Sequence, residues 1–149
     1  MTQIKRFNLR VYAIIHNEKD EVLLSKERRG GSEFTKFPGG GVEFGEGILE
    51  ALHRELFEEL DAEIHSASLF YVNDFFQASS FRPEDQIVSF YYLFELKNRS
   101  KIREERRRPL GSKDPNDFEE AQWVTKKSLY FNMLTFPIDR MVGEKLMQD

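Results

Sequence analysis

Cysteine is absent from this chain. Disulfides, thiolate zinc sites and a cysteine nucleophile are therefore excluded, and a reducing compartment fits. A long hydrophobic run is missing too. The longest purely apolar stretch near the start, Val11-Tyr12-Ala13-Ile14-Ile15, is far too short to span a membrane. No signal-peptide core accompanies it, so a soluble, cytoplasmic protein is expected. Nor does either sign of charge dominate: the net charge is -4, with 32% charged residues. A weakly acidic surface speaks against a general nucleic-acid binder, which is usually basic. His16, His53 and His65 show no ligand spacing, so zinc is not expected, and His53 reads as a packing residue. Internal repeats and long low-complexity segments are lacking as well.

Aromatic residues are in good supply, with 14 Phe and 5 Tyr, enough for a core and for stacking on a base. Tyr12, Phe34, Phe75 and Phe76 are the stacking candidates, with core packing the plainer reading of each. The length, 149 residues, is that of one ordinary domain, and residues 1–149 are read as such.

Residues 4–15 predict a strand, His16–Asp20 a polar turn and Glu21–Lys26 a returning strand, together a hairpin. Lys26–Ser32 reads as a loop and Phe34–Phe37 as a short strand before Pro38. Glu46–Leu60 has helical periodicity, with Ile48, Leu49, Leu52, Leu56 and Leu60 along one face. Leu69–Phe76, Ile87–Leu96 and Glu119–Val124 are further strands; Lys126–Tyr130 and Ile138–Met147 are closing helices. Asn98–Asn116, with the charge run Lys101–Arg108, reads as a mobile loop. The sharper reading of Arg103–Arg108 is a clamp on substrate phosphates. This order suggests a mixed sheet between helices, an α/β or α+β sandwich.

The informative stretch is Phe37-Pro38-Gly39-Gly40-Gly41-Val42-Glu43-Phe44-Gly45-Glu46, running into Arg54-Glu55-Leu56-Phe57-Glu58-Glu59. Glu55, Glu58 and Glu59 are spaced i, i+3 and i+4, which places them on one side of a helix. Three like charges that close repel one another, and a hard divalent cation with oxygen ligands removes the repulsion. Such a cluster predicts metal plus phosphate. Arg54 lies one turn before Glu58, and its planar fork can fix a carboxylate. Two rival phosphate motifs fail. A Walker A loop from Gly40 needs Lys where Glu46 stands, and a dinucleotide fingerprint from Gly39 needs Gly where Phe44 stands.

The segment Gly40–Ala62 resembles the Nudix box, G-x5-E-x7-R-E-U-x-E-E-x-G-U, with U a bulky aliphatic residue. Gly40, Glu46, Arg54-Glu55-Leu56 and Glu58-Glu59 fill their positions. Asp61 and Ala62 depart from it, standing for the glycine and the aliphatic residue, so an altered helix exit is expected.

The resemblance implies an α/β/α sandwich with a mixed β-sheet and a hydrolase that cleaves a nucleoside diphosphate linked to another moiety. It implies Mg²⁺, with Mn²⁺ an alternative, held by Glu55, Glu58, Glu59 and the Gly39 carbonyl. Arg54 would orient the acids and Glu46 would tie loop to helix. A later acid is also implied, for which Glu119 and Glu120 are candidates, Glu120 being taken as the metal ligand. The general base would come from Glu55, Glu58 or that later acid. Gln77-Ala78-Ser79-Ser80 carries neither the proline of ADP-ribose enzymes nor the tyrosine of dinucleoside-polyphosphate enzymes. A MutT-like activity on nucleoside triphosphates is therefore favoured, with nucleotide-sugar or ADP-ribose hydrolysis as the alternative. A silent nucleotide sensor and an RNA-end hydrolase are rivals. A small-molecule nucleotide partner is expected, with neither membrane nor nucleic acid. A homodimer is common among similar proteins, and the sequence adds no sign of its own.

Overall fold

The computed structural model describes residues 2–60, 66–95, 107–129 and 133–148. The Asp61-Ala62 helix exit, His65, Leu96, residues 101–106 of the charge run and Tyr130 lie outside the described residues.

The strands are β1 (Arg6–His16), β2 (Glu21–Arg29), β3 (Ser32–Lys36), β4 (Gly39–Gly41), β5 (Ser68–Val72), β6 (Asp85–Glu95), β7 (Arg108–Pro109) and β8 (Phe118–Thr125). The helices are α1 (Ile48–Leu60) and α2 (Pro137–Gln148), with one 3-10 turn at Lys126–Ser128. The strands form one sheet in the order β5-β6-β1-β2-β8-β7, with β3 paired to β2 and β4 to β1. β1 and β6 run parallel, from Arg6 opposite Asp85 to His16 opposite Glu95, while the other pairs are antiparallel. The sheet is therefore mixed, as expected.

Alternation along β1 builds two cores. Val11, Ala13 and Ile15 face α1 and pack with Leu23, Ala51, Leu52 and Leu56. Ile14 and Tyr12 face the other side, where Ile138, Val142 and Leu146 of α2 cover them. Three layers result, α1 on one face and α2 on the other. Among the described residues no helix is long and apolar enough to cross a membrane.

Several elements differ in extent from the sequence reading. β2 runs on to Arg29, through residues taken for a loop, because Gly30 and Gly31 supply the positive φ of a tight turn into β3. Gly39–Gly41, read as a loop, pairs with β1 as a strand. The strand expected over Leu69–Phe76 stops at Val72. There Asn73 is buried and hydrogen-bonds the Phe75 and Ile87 carbonyls and the Ser89 amide. On α1, Leu49 stays exposed and Ala51 takes a buried place in the stripe, while His53, expected to pack, is exposed. The Glu50 side chain accepts from the Gly47 amide, which marks the helix start.

Candidate active site

The glycine strand sets the site. Gly39 has φ +144°, and a β-carbon there would lie 2.1 Å from the Val11 carbonyl oxygen. Only glycine lets β4 lie this close to β1. A β-carbon on Gly40 would lie 2.6 Å from the Glu55 carboxyl carbon, so the missing side chain is the space that Glu55 occupies.

Arg54 joins loop to helix. Its Nε and Nη2 donate to the two carboxylate oxygens of Glu46 at 2.6 and 2.9 Å, a two-pronged pair. Nη2 also donates to the Gly41 carbonyl at 3.0 Å, and Nη1 to Glu55 at 3.1 Å and Glu58 at 3.5 Å. Hydrogen bonds from Arg54 and from the Glu43 amide hold the Glu46 carboxyl down at about 2.

The three helix acids part company. Glu55 and Glu59 lie on the side of α1 that carries the buried Ala51, Leu52 and Leu56, and both line the cleft. Glu58 is exposed at the outer edge, within reach of Arg54.

Glu59 meets two acids from the sheet. Carboxylate oxygens of Glu27, Glu59 and Glu119 all lie within 4.8 Å of one another. Glu27 and Glu119 face each other across the β2–β8 pair, and both are buried. Burial raises the Glu59 carboxyl to about 7; Lys36 opposes the rise, and Glu27 and Glu55 add to it. Burial also pushes Glu27 up, but Lys36 and Arg29 outweigh it and hold Glu27 below its ordinary value. Arg29 Nε donates to Glu27 at 2.8 Å and Nη2 lies 3.6 Å from Glu119. Arg108, at the end of the charge run, pairs with Glu119 and donates to the Glu58 carbonyl.

Glu120, the sequence choice for the extra ligand, sits elsewhere. One position along the strand from Glu119, it pairs with Arg107 at 3.2 Å, on the side where Arg107 covers the Phe118 ring. Glu27 and Lys36 escaped the sequence reading altogether. A signal existed: Leu23, Ser25 and Glu27 alternate onto the α1 face of β2, and a carboxylate there needs a partner. The Gly39 carbonyl accepts a hydrogen bond from Lys36 at 3.1 Å.

Glu27, Arg29, Lys36, Glu55, Glu59 and the glycine strand border a cleft of about 1300 Å³ that extends over the sheet toward α2. Tyr12 and Phe34 line it, whereas Phe75 and Phe76 do not. Phe34, Phe81 and Phe136 form a ring triad at 5.4–5.7 Å along one wall. Deeper in, Tyr91 donates to the buried carboxylate of Asp139. Burial raises the Asp139 carboxyl to about 6, against the pull of Tyr91 and Lys36.

Similar proteins fit this architecture. An RNA pyrophosphohydrolase of Ruthia magnifica is 36% identical over 69 residues, 46% of this chain but only 37% of that relative. An RNA pyrophosphohydrolase of Acinetobacter baylyi is 29% identical over 135 residues, covering 84% of this chain and 77% of the relative. A solved structure from work on MutT of Aliivibrio salmonicida and Vibrio cholerae superposes with a TM-score of 0.68 at 23% identity. It covers 97% of this chain and 98% of that one, a likeness of fold. The NUDIX domain pattern itself matches residues 6–142. The chain belongs to the NUDIX domain family.

Proposed function

We propose that this chain is a Mg²⁺-dependent pyrophosphohydrolase, with Mn²⁺ as a substitute ion, acting on nucleoside diphosphate-linked substrates and on nucleoside triphosphates first. The observation that carries this reading is the meeting of Glu55 and Glu59 with the glycine strand at the edge of a nucleotide-sized cleft. Glu55, Glu58 and Glu59 would hold the ion, with the Gly39 carbonyl. Glu119 is the later acid better placed for it, since its oxygens lie near those of Glu59. The donor set is all oxygen, as a hard divalent cation requires. Glu59 also fits: the burial and like charge that raise it are what a bound cation relieves. When bound, the ion supplies charge neutralisation at phosphate oxygens and makes a water acidic enough to attack phosphorus.

The chain's own groups do the rest. Arg54 fixes Glu55 and the loop, Arg10 and Arg29 line the cleft where phosphates would lie, and the general base is drawn from Glu55, Glu58 and Glu119. Incubation with nucleoside triphosphates, nucleotide sugars and ADP-ribose, with product identification, tests the reading. Turnover of none would favour a nucleotide-sensing module instead.

A second reading has its own support. Phe7, Phe44 and Phe81 are exposed and line the cleft together with Arg82, a set suited to stacking unpaired bases. Three curated relatives carry the name RNA pyrophosphohydrolase. A 5′-triphosphorylated RNA cleaved with higher kcat/KM than free GTP would select this substrate.

A further inference from the structure

Lys36, the last residue of β3, is buried at the floor of the cleft, where an ammonium is tolerated only if matched in charge and hydrogen-bonded. Both conditions hold. Its Nζ donates to the Gly39 carbonyl at 3.1 Å and the Phe37 carbonyl at 3.3 Å, and lies 3.0 Å from Glu27 Oε2. Three protons thus meet three oxygens. Two carbonyls and a carboxylate are also the hard donors that a divalent cation selects. Glu27 belongs to the trio with Glu59 and Glu119, so the ammonium stands in a cation position of that cluster. Glu59 and Glu27 raise Lys36 well above its ordinary value against the pull of burial, which keeps it charged. An ordinary surface ion pair would explain neither the burial nor the engagement of two backbone carbonyls.

We infer that Lys36 is a built-in cation of the active site: it bridges the Gly39 carbonyl and Glu27, takes the place of a further divalent ion between those oxygens, and leaves the α1 acids, Glu119 and the second lone pair of the Gly39 carbonyl to the catalytic ion. Lys36 is a positioning residue, since it acts through Gly39 and Glu27. The inference rests on the metal-dependent reading above. Its consequence is a chain that binds one fewer divalent ion than its oxygen donors would otherwise support.

The test is a Mn²⁺ titration of the whole chain, with free Mn²⁺ followed by electron paramagnetic resonance. Lys36→Met, similar in length and uncharged, is expected to bind one more Mn²⁺ per chain than wild type. Lys36→Arg, which keeps the charge, is expected to bind the wild-type number. So is the double variant Glu27→Gln/Lys36→Met, which also removes the carboxylate. An unchanged number in Lys36→Met, or the same gain in the double variant, overturns the inference alone. A wild type that binds no Mn²⁺ overturns the metal-dependent reading, and the inference with it. Should Lys36→Met fail to fold, the wild type decides. The Lys36 ammonium resonance in a ¹⁵N-lysine sample is expected to persist at saturating Mg²⁺, and its disappearance shows displacement and overturns the inference.

Discussion

Gly40 and Glu55 occupy complementary space: the carboxylate of the helix residue lies where the β-carbon of the strand residue would be. The box glycine is therefore a steric requirement of the acid 15 positions later. Gly40→Ala is expected to push Glu55 aside by about 1 Å and lower kcat/KM roughly 100-fold. A small change in melting temperature, measured alongside, would separate this from misfolding.

Arg54 makes contacts that lysine cannot reproduce, binding both oxygens of Glu46 while reaching Gly41 and Glu55. Arg54→Lys is expected to weaken Mn²⁺ binding or activity about 10–100-fold. Stability should change little, because ion pairs with a solvent-facing side contribute modestly. Isothermal titration of Mn²⁺ and steady-state kinetics check this together.

Asp139 provides a pH signature. Its carboxyl, raised by burial to about 6 from 3.8, faces Tyr91 on β6, Lys36 on β3 and Arg10 on β1. Between these values the folded chain keeps a proton that the unfolded chain has released. Stability from this residue therefore falls as pH rises through that window, and the loss is complete above about 6. Asp139→Asn cannot ionise. Its stability relative to wild type is expected to rise by about 3 kcal/mol between pH 4 and pH 7, from roughly two pKa units. Urea denaturation at both values measures it, and a flat or falling difference would contradict the assignment.

Leu56 joins site to core, being fully buried on the α1 turn between Glu55 and Glu59. Leu56→Ala is expected to destabilise the fold by about 2–5 kcal/mol through lost burial and a cavity. Chemical denaturation gives the value.

The helix with its acids, the glycine loop and the mixed sheet were legible because their signals are local: a period, a spacing, a run of apolar residues. Glu27, Lys36 and Glu119 were harder. They are brought together by pairing between β2, β3 and β8, across nearly 100 residues, and local periodicity carries no register between distant strands. The sequence reading of the adjacent pair Glu119-Glu120 settles on Glu120, with no residue to fix which side of the strand each takes. One strand position decides, placing Glu119 with the acids and Glu120 with Arg107. β4 was missed because three glycines carry no strand propensity; its pairing depends on the absence of side chains against β1.

Glu59 and its neighbours are proposed to hold a divalent ion that phosphoanhydride cleavage requires. The direct measurement is pyrophosphate or monophosphate release from a nucleotide panel, with Mg²⁺, with chelator, and in Glu59→Gln. Release by the wild type only with the ion present, and its loss by at least about 100-fold in Glu59→Gln, is the expected result. Full activity in chelator, or a Glu59→Gln variant as active as wild type on the same substrate, would contradict it.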